Sequence, residues 1–74
     1  MNNKEYLLKL GAKVKEIRES KRMTQVDLAG KIEGNIDTTN ISRIETGRTN
    51  PTIITIYRIS EALEVSINAL IPEK

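Results

Sequence analysis

Apolar residues in this sequence recur every three or four positions, and no stretch of useful length alternates with period two. Near the amino terminus, Leu7, Leu10, Val14 and Ile17 form one such stripe. This spacing places side chains on one side of an α-helix, whereas a half-buried β-strand needs strict alternation. The sequence therefore predicts an all-α fold.

Capping and breaking residues divide this pattern into five helical segments. Thr24 followed by Asp27 is typical of a helix start, because each side chain can bond the backbone N–H of the other residue. Asp37, Thr52 and Ser66 are also suited to the position before a helix. The predicted helices cover about residues 4–21, 25–32, 38–46, 53–63 and 67–71, and the fourth should face the core through Ile53, Ile56, Ile59 and Leu63.

The length of 74 residues allows one domain, residues 1–74, whose core is marginal on its own. Cysteine is absent, which excludes disulfides and thiolate metal sites, and histidine is absent too. Since there is also no glycine-rich phosphate loop, we expect no catalysis, no metal, no cofactor and no small-molecule ligand. Stability must then come from well-packed helices, from a partner subunit, or from both.

The amino-terminal residues show no signal peptide, and no apolar run approaches the roughly 18 residues of a membrane span. We therefore expect a cytoplasmic protein with no membrane partner. The net charge is +2, but residues 1–22 carry seven basic and three acidic side chains, and the other 52 residues carry five and seven. The basic third could face nucleic-acid phosphate, or it could be a solvated helix face.

Residues 24–46 hold the most informative pattern, two short helices joined by a tight connection. The second helix should start after Asp37 and bury Ile41 and Ile44, which leaves small hydrogen-bonding side chains outside. A helix fits the major groove of DNA, where Thr and Ser bond several bases, Asn suits adenine and Arg suits guanine. A polar face turned toward solvent is the alternative interpretation. The outward residues are Thr38, Thr39, Asn40, Ser42 and Arg43.

Residues 18–29 (RESKRMTQVDLA) and 41–52 (ISRIETGRTNPT) resemble the Cro/repressor-type helix-turn-helix family, the lambda-repressor-like, xenobiotic-response-element group. The similarity covers about residues 10–71. Its motif is specific, because several residues that mark helix starts and stops fall in register together. The resemblance implies a compact five-helix lambda-repressor-like domain that binds double-stranded DNA as a transcriptional regulator, and we expect a repressor. An antitoxin or a protein-interaction module on the same scaffold is the alternative.

The resemblance also implies roles for individual residues. Arg18 and Glu45 match an ion pair that ties the first helix to the end of the third, and a partly buried bidentate pair would fix the angle between them. The implied base contacts are Thr38, Thr39, Asn40, Ser42 and Arg43, with Arg43 the candidate for guanine. The implied contacts to the DNA backbone are Gln25, Thr46, Arg48, Thr49 and Asn50, of which Gln25 would also brace the recognition helix.

The sequence departs from the family pattern at several positions. The connection over residues 32–37 is longer than in the tightest family members, and Glu64 stands where a glycine commonly ends the fourth helix. Val26, Ile54 and Tyr57 are apolar where the family is usually polar and outward, and such residues are often merely exposed hydrophobes. We expect instead a homodimer with its two recognition helices about 34 Å apart, one DNA turn. Its face would comprise Ile54, Tyr57, Glu61, Ile67, Leu70 and Ile71.

Overall fold

The computed structural model of the chain describes residues 2–34 and 36–73. Within these ranges it contains four α-helices, one 3-10 turn and no β-strand, so the all-α prediction is confirmed. None of the described helices is long and apolar enough to cross a membrane. The elements are α1 (Asn3–Ser20), α2 (Gln25–Lys31), α3 (Thr38–Glu45), α4 (Ile53–Leu63) and the 3-10 turn Ile67–Ala69.

A side-chain cap fixes the start of every α-helix. In each case the residue before the helix accepts a hydrogen bond from the backbone N–H three residues on, one of the donors that a helix leaves unpaired. The cap of α2 is reciprocal: Thr24 Oγ1 accepts from the Asp27 N–H at 3.0 Å, and the Asp27 carboxylate accepts from the Thr24 N–H at 2.8 Å. The other caps are Asn2, Asp37 and Thr52.

The prediction of a fifth α-helix is wrong. Only the 3-10 turn forms there, and Ser66 makes no side-chain cap. The segment between α4 and Pro72 is short, and so few residues gain little from the hydrogen bonds of an α-helix. The tighter turn brings Leu70 into the core, where it is fully buried. Just before it, Glu64 ends α4 in the left-handed conformation, with φ of 59°, that glycine usually adopts.

One apolar core joins the four α-helices and packs against the inner face of α3. Gly11 lets α1 approach α3 closely, because a Cβ there would collide with the carbonyl oxygens of Ile44 and Glu45. Ile53, which was predicted to face the core, is 64% exposed, because it is the first residue of α4 and lies beyond the packed turns. The buried apolar residues are Leu10, Val14, Leu28, Ile32, Ile41, Ile44, Ile56, Ile59, Leu63 and Leu70.

Candidate nucleic-acid interface

Helix α3 presents a polar face to the outside. Its buried residues, Ile41, Ile44 and Glu45, recur three and four apart, so the remaining positions are turned away from the core. The segment after Asp37 is therefore helical and outward, as the sequence predicts. The outer side chains are Thr39, Asn40 and Arg43, which are exposed, and Thr38 and Ser42, which are half-buried.

Six side chains around the outer face of α3 line a shallow concavity that we call the recognition surface. They include four of the five predicted base contacts and two of the predicted backbone contacts. Two of the six are arginines and none is a carboxylate, so the surface is suited to a polyanion. The six are Gln25, Thr38, Thr39, Ser42, Arg43 and Arg48.

Asn40 lies on the other flank of α3. It follows Thr38 by two positions, which is a rotation of about 200° around the helix axis. It faces the start of α4 across a second concavity that we call the loop groove. The sequence grouped Asn40 with the base contacts, whereas the structure brings it beside Thr49 and Asn50 of the α3–α4 connection. The loop groove is lined by Ile36, Asn40, Ile44, Thr49, Asn50, Pro51, Thr52 and Thr55.

A bidentate ion pair locks the carboxyl end of α3 to α1. Arg18 Nε donates to Glu45 Oε2 at 2.6 Å and Arg18 Nη2 donates to Glu45 Oε1 at 3.1 Å, with only 8% and 2% of the two side chains exposed. Arg18 Nη1 also donates to the carbonyl oxygen of Met23 at 2.6 Å. The hydrogen bond with Glu45 raises the pKa of Arg18, so the guanidinium stays charged. The pair therefore fixes α3 against α1 and against the turn that enters α2.

Gln25 connects this ion pair to the recognition surface. Its Nε2 donates to Glu45 Oε1 at 3.1 Å, while the same side chain lines the recognition surface. The start of α2 is thus held against the end of α3 by a direct contact. Thr46 has a local partner, because its hydroxyl donates to the Ser42 carbonyl oxygen at 2.8 Å and closes the last turn of α3.

Arg58 is a residue near the interface that the sequence reasoning missed. A guanidinium nitrogen of Arg58 occupies the space where a Cβ of residue 34 would stand, and Gly34 has a left-handed φ of 99°. The Arg58 side chain also borders a concavity that contains Asn40 and Thr55. Arg58 of α4 therefore lies against Gly34, just after α2. The glycine indicates a close approach, but the sequence does not say which distant side chain makes it.

Only part of the predicted dimer face is exposed to solvent. Ile54 and Tyr57 are 55% and 50% exposed and lie on one side of α4 with the exposed Glu61. The assignment of Leu70 to this face is wrong, because its side chain is fully buried in the core of its own chain. The remaining two predicted residues, Ile67 and Ile71, are half-buried and pack against that core.

A helix-turn-helix protein is the class that this arrangement defines: two short helices in sequence, the second of which is backed by the core and turns polar side chains outward. The profile of the helix-turn-helix family HTH_3 matches residues 14–70 of the chain. The chain belongs to this family.

Three known proteins show the similarity in detail. The immunity repressor protein of Bacillus phage phi105 is 32% identical over 65 residues, which are 88% of this chain and 44% of the repressor, so the chain spans less than half of that relative. The restriction-modification controller protein C.AhdI from Aeromonas hydrophila has the same fold, with a TM-score of 0.86 at 24% identity over 95% of this chain and 99% of that one. The controller protein C.Esp1396I, solved as a tetramer with its natural 35 base-pair operator, has a TM-score of 0.75 and 46% identity over 82% of this chain and 78% of that one.

Proposed function

We propose that this protein is a transcriptional repressor that binds a specific sequence of double-stranded DNA by placing α3 in the major groove. The observation that carries the proposal is the recognition surface, an outward helical face of small hydrogen-bonding side chains and arginines without a carboxylate. The major groove admits an α-helix and displays a distinct set of donors and acceptors for every base pair. A protruding helix whose inner side is fixed by a core is suited to reading that pattern.

The position of each side chain on α3 supports a separate role. Arg43 and Thr39 stand on the most exposed side, so we assign them to base edges, with Arg43 forming a two-bond fork to guanine. Thr38 and Ser42 lie toward Gln25 and are assigned to bases at that margin. Asn40, on the opposite margin, is assigned to a base beside the loop groove.

The residues on either side of α3 are suited to the sugar-phosphate backbone. Gln25 and Arg48 border the recognition surface, while Thr49 and Asn50 border the loop groove, so polar groups flank the helix on both sides. Thr46 stands between them at the end of α3 and is exposed. Contacts of this kind fix the register of a protein on DNA without reading its sequence.

The known proteins support the same function. C.Esp1396I, at 46% identity, was solved in complex with its operator, and the phage phi105 protein is an immunity repressor. We transfer from them to this chain the binding of operator DNA and repression as its consequence.

We further propose that the chain acts as a homodimer through α4. Ile54 and Tyr57 are exposed apolar side chains on one side of that helix, beside Glu61, and Ile67 and Ile71 lie at the edge of the chain's own core. A two-fold axis there would place two recognition helices one DNA turn apart, about 34 Å, on a palindromic site. Replacing Tyr57 with Glu should shift sedimentation from dimer to monomer while the helix content stays constant. A wild-type protein that stays monomeric at high micromolar concentration contradicts the dimer.

The proposal of specific DNA binding is tested by selecting bound fragments from random duplexes and by titrating one selected duplex at several salt concentrations. We expect a recurrent sequence with two-fold symmetry and an affinity that falls steeply with salt, because phosphate contacts release counterions. An antitoxin or protein-interaction module on this scaffold, the alternative, would recover no recurrent sequence. Absence of duplex binding even at low salt would reject the repressor function.

A further inference from the structure

The first turns of α1 pack on the α3–α4 connection, although they lie outside the residues that the family profile matches. The point where a Cβ of Gly47 would stand is 3.0 Å from Leu8 Cδ2 and 3.0 Å from the Leu8 backbone nitrogen. Gly47 has a φ of 72°, a conformation that suits glycine. Leu8 therefore lies directly on the start of the connection.

This contact continues toward the amino terminus. Asn3, Tyr6 and Leu7 line one cavity together with Asn50, which lies near the far end of the connection. Leu8 packs on Gly47 at the start of the connection. The first two turns of α1 therefore run along the connection that we assign to the DNA backbone.

Helical spacing places Lys4 on this same side of α1. Lys4, Leu8 and Gly11 are four and three residues apart, and such positions share one side of a helix. Leu8 contacts the connection and Gly11 contacts the end of α3, so Lys4 stands one turn further along that side. Lys4 is exposed, and no carboxylate of the described residues lies within ion-pair distance of its ammonium group. Its charge therefore lies on the side of α1 that packs on the α3–α4 connection.

We propose that Lys4 binds a DNA phosphate beside the contacts of Arg48, Thr49 and Asn50, so that α1 extends the DNA-binding surface beyond the helix-turn-helix unit. This inference rests on the proposed function, since it requires DNA at the recognition surface. Lysine suits the role because a long flexible stem carries its point charge to a phosphate. Each phosphate that a lysine neutralises releases condensed counterions, which makes the contact measurable through salt.

The test uses a matched pair of variants, Lys4→Ala and Lys13→Ala, with one duplex that the wild-type protein binds specifically. Lys13 lies nine positions on, two and a half turns, and therefore stands on the opposite side of α1, beside Pro72 and Glu73. Both variants remove one positive charge from the same helix, so effects of net charge are equal. We expect Lys4→Ala to make the negative slope of log affinity against log salt shallower by about 0.9, and Lys13→Ala to leave it unchanged.

This change in slope corresponds to a measurable difference in affinity. Over a tenfold rise in salt, the wild type should lose about eightfold more affinity than Lys4→Ala. Lys4→Arg should keep the wild-type slope, and thermal melting followed by circular dichroism checks that every variant is folded. A wild-type slope in Lys4→Ala, or an equal loss in both alanine variants, overturns the phosphate contact. If the wild type itself binds no duplex, the repressor function fails and the Lys4 contact fails with it.

Discussion

The outer face of α3 and its buried carboxyl end are held in different ways. On the outer face, none of the side chains of Thr38, Thr39 and Arg43 forms a hydrogen bond with another part of the described chain. At the carboxyl end, Glu45 is buried and accepts hydrogen bonds from Arg18 of α1 and Gln25 of α2. The same eight-residue helix thus carries free side chains on its outer face and a fixed anchor at its last residue. The proposed DNA contacts and the stability of the fold should therefore depend on different residues of one helix.

The largest effect is expected when the ion pair at the carboxyl end of α3 is removed. Arg18→Ala leaves the Glu45 carboxylate buried without its main partner, which should lower the free energy of unfolding by about 3–5 kcal/mol. Denaturant unfolding followed by circular dichroism measures this loss. The control is the double variant Arg18→Met, Glu45→Leu, which replaces both charges with apolar side chains of similar length and should be clearly more stable than Arg18→Ala. Equal stability of the single and double variants contradicts a buried charge as the cause.

The next largest effect is expected on the outer face of α3. Arg43→Ala should weaken binding to the selected duplex by about 1–3 kcal/mol and relax the preference at one base pair, while the unfolding midpoint stays that of the wild type. Arg48→Ala is the matched comparison, since it should weaken binding to all duplexes about equally and flatten the salt slope by about one. Competition titrations against duplexes changed at single base pairs distinguish the two patterns. An unchanged preference in Arg43→Ala would show that this side chain reads no base.

How well the sequence predicts this structure also differs between the outer face of α3 and its contacts with distant parts of the chain. Each α-helix start follows from a local cap such as Asp37, and the outward face follows from the three-and-four spacing of Ile41 and Ile44. Local patterns do not report which side chains meet from distant parts of the chain. For this reason only the structure shows that Asn40 lies apart from the other predicted base contacts and that Arg58 lies against Gly34.

The same limit explains the errors at the carboxyl terminus. Its apolar character alone assigns Leu70 to an outer face, and Ser66 with the apolar residues after it predicts a fifth helix. In the structure, the 3-10 turn buries Leu70 in the core. The space left between the helices determines this outcome, and the spacing of apolar residues along the sequence does not report that space. Only the family resemblance pointed to the ion pair of Arg18 and Glu45, because the two residues lie in separate helices.

The smallest expected effect concerns the start of α2. Its cap precedes Gln25, the residue that links the outer face of α3 to Glu45. Hydrogen bonds from Thr24, first from its backbone N–H and then from its side chain, lower the pKa of Asp27 below its ordinary value of 3.8. A carboxylate whose pKa is lower in the folded state stabilises the fold above its unfolded pKa, and this contribution is lost as the pH falls through the folded value.

The wild type should therefore have a higher thermal unfolding midpoint than Asp27→Asn near neutral pH, and this difference should shrink below about pH 4. The asparagine variant is the apt control because its amide oxygen still accepts from the Thr24 N–H but carries no charge. A difference that stays constant between neutral and acid pH would show that the charge of Asp27 adds nothing to the cap.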